Sequence, residues 1–145
     1  MVPSFLLVDG NNIIHAWPDL LELHQQRRGL AHTELERRLL DYQDQTGTRV
    51  VLVFDGKGPK INEERDPNGM QVIYTSGSKS ADDVIERLAL KYAGKYEITV
   101  ATNDRLEQDL VISAGGFAMN ADQLYDLVER AEREMQRLIE KRRRS

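Results

Sequence analysis

The chain has no cysteine among its 145 residues. That excludes disulfides, thiolate zinc sites and cysteine nucleophiles, and a reducing cytoplasm is the compartment that fits. No apolar run approaches the roughly 20 residues of a membrane span. The N-terminus lacks the basic start and longer apolar stretch of a signal peptide. There is no phosphate-binding P-loop and no GxGxxG, so a nucleotide cofactor is not expected. The three histidines (His15, His24, His32) have no zinc-ligand spacing such as His-Glu-x-x-His. Positive charge is not in excess either: the net charge is −4. On its face this disfavours a polyanionic partner, but four carboxylates gathered in one site would account for all of it, so local patches decide.

What is present is a soluble, globular composition, with 40% hydrophobic and 30% charged residues. That is enough apolar material for one domain with a substantial core, here expected over 1–145 without repeats or low-complexity segments. The stretch Phe5-Leu6-Leu7-Val8 runs straight into Asp9-Gly10-Asn11-Asn12. A continuous apolar run of this kind suits a central strand of a parallel sheet covered on both faces. Val50–Phe54 repeats the pattern and again ends in Asp-Gly. Further strands are expected at 70–75, 97–101 and 117–119. Helices are expected near 19–21, at 32–46, 81–93 and 104–114, and from 120 to a basic tail at 141–144. In the helix at 104–114, Leu106, Leu110, Val111 and Ala114 form the expected packing face. Alternating strands and helices predict an α/β fold: three layers, α/β/α, around a mostly parallel sheet with right-handed crossovers.

In open α/β sheets ligands bind beyond the carboxyl ends of the strands. Four acids are delivered to that edge. Asp9 and Asp55 end strands, Asp104 follows one, and Asp82 opens a helix. Each has an ordinary structural explanation, since acids at helix starts gain about 0.3–1 kcal/mol from the dipole. That explanation has to hold four times at one edge. Like charges about 4 Å apart repel by on the order of 4 kcal/mol at an effective dielectric of 20. A hard divalent cation, Mg²⁺ or Mn²⁺, relieves this and can activate water against a phosphate.

The run Leu6-Leu7-Val8-Asp9-Gly10-Asn11-Asn12-Ile13-Ile14-His15-Ala16-Trp17-Pro18 resembles the opening of the YacP-type NYN domains, a branch of the PIN-like ribonucleases. The similarity continues through Val50–Gly56, Ser80–Glu86 and Val100–Asp104, in the order the family has them. The resemblance implies a PIN-like fold and a metal-dependent endoribonuclease acting on RNA, mRNA in particular, with the ribosome as setting. It places Asp9, Asp82 and Asp104 in the acidic site. It also implies that Asn12 orients a water or phosphate oxygen, that Asp55 is a ligand or a supporting acid, and that Asp83 is a weaker ligand candidate.

Phosphate contacts come mostly from Arg and Lys. Lys57, Lys60 and Arg65 in a turn-rich loop, Lys79 before the Asp82 helix and Arg105 beside Asp104 are the candidates flanking the site. Arg27-Arg28, Arg37-Arg38 and the tail are read as further off. Two other functions stay open. One is a non-catalytic RNA- or ribosome-binding module on the same fold. The other is an aspartyl-phosphate phosphohydrolase, which would need a second Asp at position 11, where Asn11 stands.

Overall fold

The computed structural model describes residues 2–56, 69–76 and 79–144. The loop cations Lys57, Lys60 and Arg65 lie outside the described residues. The order of elements is β1 (Ser4–Asp9), α1 (Gly10–Ala16), α2 (Pro18–Gln26), α3 (Arg28–Thr46), β2 (Arg49–Phe54), β3 (Gln71–Tyr74), α4 (Ala81–Tyr92), β4 (Glu97–Ala101), α5 (Arg105–Ser113), β5 (Phe117–Met119) and α6 (Ala121–Arg144).

The five strands form one sheet in the order β3-β2-β1-β4-β5, and every neighbouring pair is parallel. The expectation of a mostly parallel sheet is therefore met in full. β1 is central because both of its faces are apolar. Leu6 and Val8 enter one core with Leu52, Phe54 and residues of α1, α2, α3 and α6. Leu7 enters the other with Val51, Val53, Val100, Ile85 of α4 and Val111 of α5. The three layers follow from that alternation, because successive side chains of a strand point to opposite faces.

Two departures from expectation have local causes. Pro18 stands at the first position of α2, where its missing N–H costs nothing, so the helix runs nine residues. Trp17 ends α1 and starts α2. It is fully buried, and its indole N–H donates to the carbonyl of Ala121 at 2.9 Å, which ties this corner to the start of α6. α3 begins at Arg28, four residues earlier than expected, and stops at Gly47 with φ of 79°. A left-handed residue of this kind is the usual glycine stop of a helix.

The strand order reverses beside β1. From it the chain steps outward through β2 and β3, and then returns by α4 to β4 on the opposite side. Such a switch point leaves a crevice at the carboxyl ends of the strands.

Candidate metal centre

The motif Asp9-Gly10-Asn11-Asn12 knots the strand ends together. Asp9 caps α1, accepting from the backbone N–H of Asn12 at 3.4 Å. Gly10 lies against the Phe54 ring, and a Cβ there would stand 2.4 Å from Cε1 of Phe54. No larger residue fits without moving the end of β2. The Asn11 Oδ1 accepts from the N–H of Asp55 at 2.9 Å, fixing β2. The Asn12 Oδ1 accepts from the N–H of Asn103 at 2.8 Å, fixing the turn after β4. Asn103 passes the restraint on, its Oδ1 accepting from the N–H of Ala121 at 2.8 Å. Three short amides thus replace sheet hydrogen bonds where the strands end.

The start of α4 sorts its neighbouring acids. Ser80 and Asp83 form a reciprocal capping box, with 3.2 Å contacts in both directions. The Asp55 Oδ1 accepts from the N–H of Ala81 at 2.6 Å, so this carboxylate also sits on the helix start. Asp82 has neither duty. Its carboxylate meets Asp9 and Glu107, and one oxygen from each of the three lies within 4.8 Å of the other two.

Glu107 is the residue that the sequence reading missed. Of the expected packing face Val111 is buried, but Leu106 is 70% exposed and Leu110 37%, and Glu107 turns inward beside Val111. Asp104 sets this phase. Its Oδ1 accepts from the N–H of Leu106 at 3.0 Å, and α5 begins at Arg105. Asp104 is therefore the cap of the helix that delivers Glu107, and it stands outside the group of three. Asp55 and Asp83 stand outside it as well.

Both oxygens of Glu107 are buried and have no donor among the described residues. The residue is 2% exposed, and Asp9 beside it is 5% exposed. Burial pushes the Glu107 carboxyl up to about 11, and the neighbouring Asp82 and Asp9 add to the shift. Burial also raises Asp9, and the charges of Asp82 and Asp55 act in the same direction. Three carboxylates facing one another supply acceptors only. A proton or a cation must stand between them. The donor set is all oxygen, which suits a hard divalent ion such as Mg²⁺ or Mn²⁺. Lys79, two residues before α4, and Arg105, the first residue of α5, are exposed, and each of these helices carries an acid of the group.

A family model for the YacP-like NYN domain matches residues 6–145. The chain belongs to the YacP-like NYN domain family. It is 37% identical over 140 residues to protein YacP of Bacillus subtilis (strain 168), covering 95% of this chain and 82% of that one. The crystal structure of Rae1 (YacP) from Bacillus subtilis superposes with a TM-score of 0.81 at 36% identity, covering 95% of this chain and 80% of that chain. A point mutant of the same protein gives 0.82 at 34%, with 95% and 82% covered. The parallel sheet and the helices around it are thus those of a YacP-like NYN domain. No helix among the described residues is long and apolar enough to cross a membrane.

Proposed function

We propose that this YacP-like NYN domain is a divalent-metal-dependent endoribonuclease of the cytoplasm that cuts single-stranded RNA. mRNA is its substrate, and the ribosome is the setting in which it meets that substrate. The observation that carries the reading is Glu107, a buried carboxylate whose neighbours among the described residues are the acids Asp9 and Asp82 and no donor. A core keeps such a group only with a proton or a cation between the carboxylates, and an all-oxygen donor set suits a hard cation.

Asp9, Asp82 and Glu107 would hold the ion. When bound, it lowers the pKa of water and offsets charge on a phosphodiester. The chain's own residues do the rest. The network of Asn11, Asn12 and Asn103 holds three strand ends in register, so Asp9 is presented from a rigid floor. With its Oδ1 occupied by Asn103, the Asn12 carboxamide offers its NH₂ as a donor to a phosphate oxygen. Asp104 positions Glu107 through the phase of α5, and Asp55 positions Asp82 through the N–H of Ala81. Lys79 and Arg105 contact the phosphates that flank the cut. The phosphohydrolase reading loses ground because Asn11, where that chemistry needs an acid, is a brace for β2.

The test is an end-labelled single-stranded RNA incubated with the purified protein and Mg²⁺ or Mn²⁺. Internal cuts that stop with EDTA, and that slow at least 100-fold in Asp82→Asn, are expected. RNA binding without any cutting in either ion would overturn the nuclease reading in favour of a binding module.

A further inference from the structure

Arg28 comes to the edge of this site although the sequence reading set it apart. Its Nη2 lies 3.6 Å from the position of a Cβ on Gly56, the second residue beyond the end of β2. Gly56 adjoins Asp55, whose carboxylate holds the N–H of Ala81, and Ala81 adjoins Asp82. The guanidinium therefore lies beside the end of β2, on the same edge of the sheet as Asp9 and Asp55.

The start of α3 is pinned there by aromatic stacking. The His32 ring lies on the Phe54 ring at 4.1 Å with 7° between the planes. Tyr74 stacks on Phe54 at 5.3 Å and 27°. Arg28 and His32 are one helical turn apart, so the stacked ring holds the stretch of backbone from which Arg28 projects. Among the described residues no carboxylate pairs with Arg28, whereas Arg37 and Arg38 each contact two acids. The first turn of α3 carries no acid. Glu36 nearby is engaged by the Tyr74 hydroxyl. Burial and the Arg28 charge hold His32 down to about 4, so that ring is neutral at pH 7. Arg28 is thus an exposed cation, without an acid partner among the described residues, beside the end of β2 on the edge of the sheet that carries the acids. A planar fork of this kind suits a phosphate oxygen pair.

We propose that Arg28 anchors a backbone phosphate of single-stranded RNA flanking the scissile one, so that the strand crosses the ends of β1 and β2 toward α3. The assignment rests on the nuclease reading for the identity of the strand, and its test separates the two. Binding of a fluorescein-labelled single-stranded RNA is followed by anisotropy in EDTA over a series of salt concentrations, where no cleavage intervenes. One lost phosphate contact on a single strand reduces the slope of log K against log salt by about 0.7. Arg28→Gln should show that reduction with roughly five- to tenfold weaker binding, and Arg28→Lys should recover part of it. Arg49→Ala removes a cation that lies over Phe5 at the opposite end of the sheet, and should leave the slope unchanged. With Mg²⁺ present, Arg28→Gln should raise KM and leave kcat nearly as it was.

If the wild type cuts RNA and Arg28→Gln alters neither slope nor KM, the anchor is wrong and the nuclease stands. If the wild type binds with an Arg28-dependent slope but never cuts, the nuclease reading fails and the anchor stands. An equal loss of slope in Arg49→Ala, or no RNA binding by the wild type, overturns the anchor.

Discussion

Replacing Glu107 by Gln should change stability in opposite directions with and without a divalent ion. Carboxylate oxygens of the group lie within 4.8 Å of one another. Two unit charges at that separation repel by about 3.5 kcal/mol at an effective dielectric of 20. Three ionised acids make three such pairs, about 10 kcal/mol, as large as the whole stability of an ordinary domain. Without a cation the group therefore keeps a proton, and burial raises the Glu107 carboxyl to about 11. In the unfolded chain the same group titrates near its ordinary value of 4.5. Between those values the folded state holds a proton that the unfolded state has lost. The stabilisation is full below the unfolded value and is lost as pH rises toward the folded one. The slope is at most about 1.4 kcal/mol per pH unit. From pH 6 to pH 8 the metal-free protein should lose up to about 2.7 kcal/mol, which is several degrees in Tm for a chain of this size. Asp9, also raised, adds a loss of the same sign within its own window. Glu107→Gln keeps the shape and removes the titration. Its melting temperature in EDTA should exceed that of the wild type at pH 8 and fall less from pH 6. Saturating Mg²⁺ or Mn²⁺ should reverse the order, since binding at 100 times Kd stabilises the wild type by about 2.7 kcal/mol. Differential scanning fluorimetry over pH, with and without the ion, reads both effects. Parallel pH curves for the two proteins would refute the reasoning.

Further substitutions separate positioning from ligation. Asp104→Asn keeps a good helix cap and should retain RNA cleavage within several-fold, whereas Asp104→Ala should lose about 1 kcal/mol in urea denaturation. Gly10→Ala places a methyl 2.4 Å from the Phe54 ring and should cost about 1–3 kcal/mol, read as a lower denaturation midpoint. Trp17→Phe removes the indole donor to the carbonyl of Ala121 and should lose about 0.5–1.5 kcal/mol in the same assay. Asn12→Ala removes the brace on Asn103 and the spare NH₂ donor, so kcat should fall while ion affinity changes little, as separated by kinetics and calorimetry.

The layered fold could be read from the chain because its strands are continuous apolar runs that end abruptly in Asp-Gly, at Asp9 and again at Asp55. Strand ends expose the carboxyl edge by construction, so Asp9 was visible there. Asp82 and Asp83 looked alike as helix-start acids. Only the hydrogen bond of Asp83 to the N–H of Ser80 tells them apart, and that depends on which residue becomes the cap. Glu107 was hidden by the phase of α5. Leu106 and Leu110 are a turn apart and looked like a packing face, but the Asp104 cap rotates them outward. The clue available was Glu107 one turn before Val111 on the same face. Arg28 was hidden for a different reason. It reaches the rim only because α3 starts four residues early and His32 stacks on Phe54, a contact between distant parts of the chain.

Titration of the metal-free protein with Mn²⁺, followed by calorimetry or by the loss of the free-ion electron paramagnetic resonance signal, tests the three-carboxylate site without any substrate. The wild type should bind at neutral pH and release protons as it does so, and Asp82→Asn, altered at an exposed position, should bind at least tenfold more weakly. Equal Mn²⁺ affinity in the wild type, Asp82→Asn and Glu107→Gln would contradict the account.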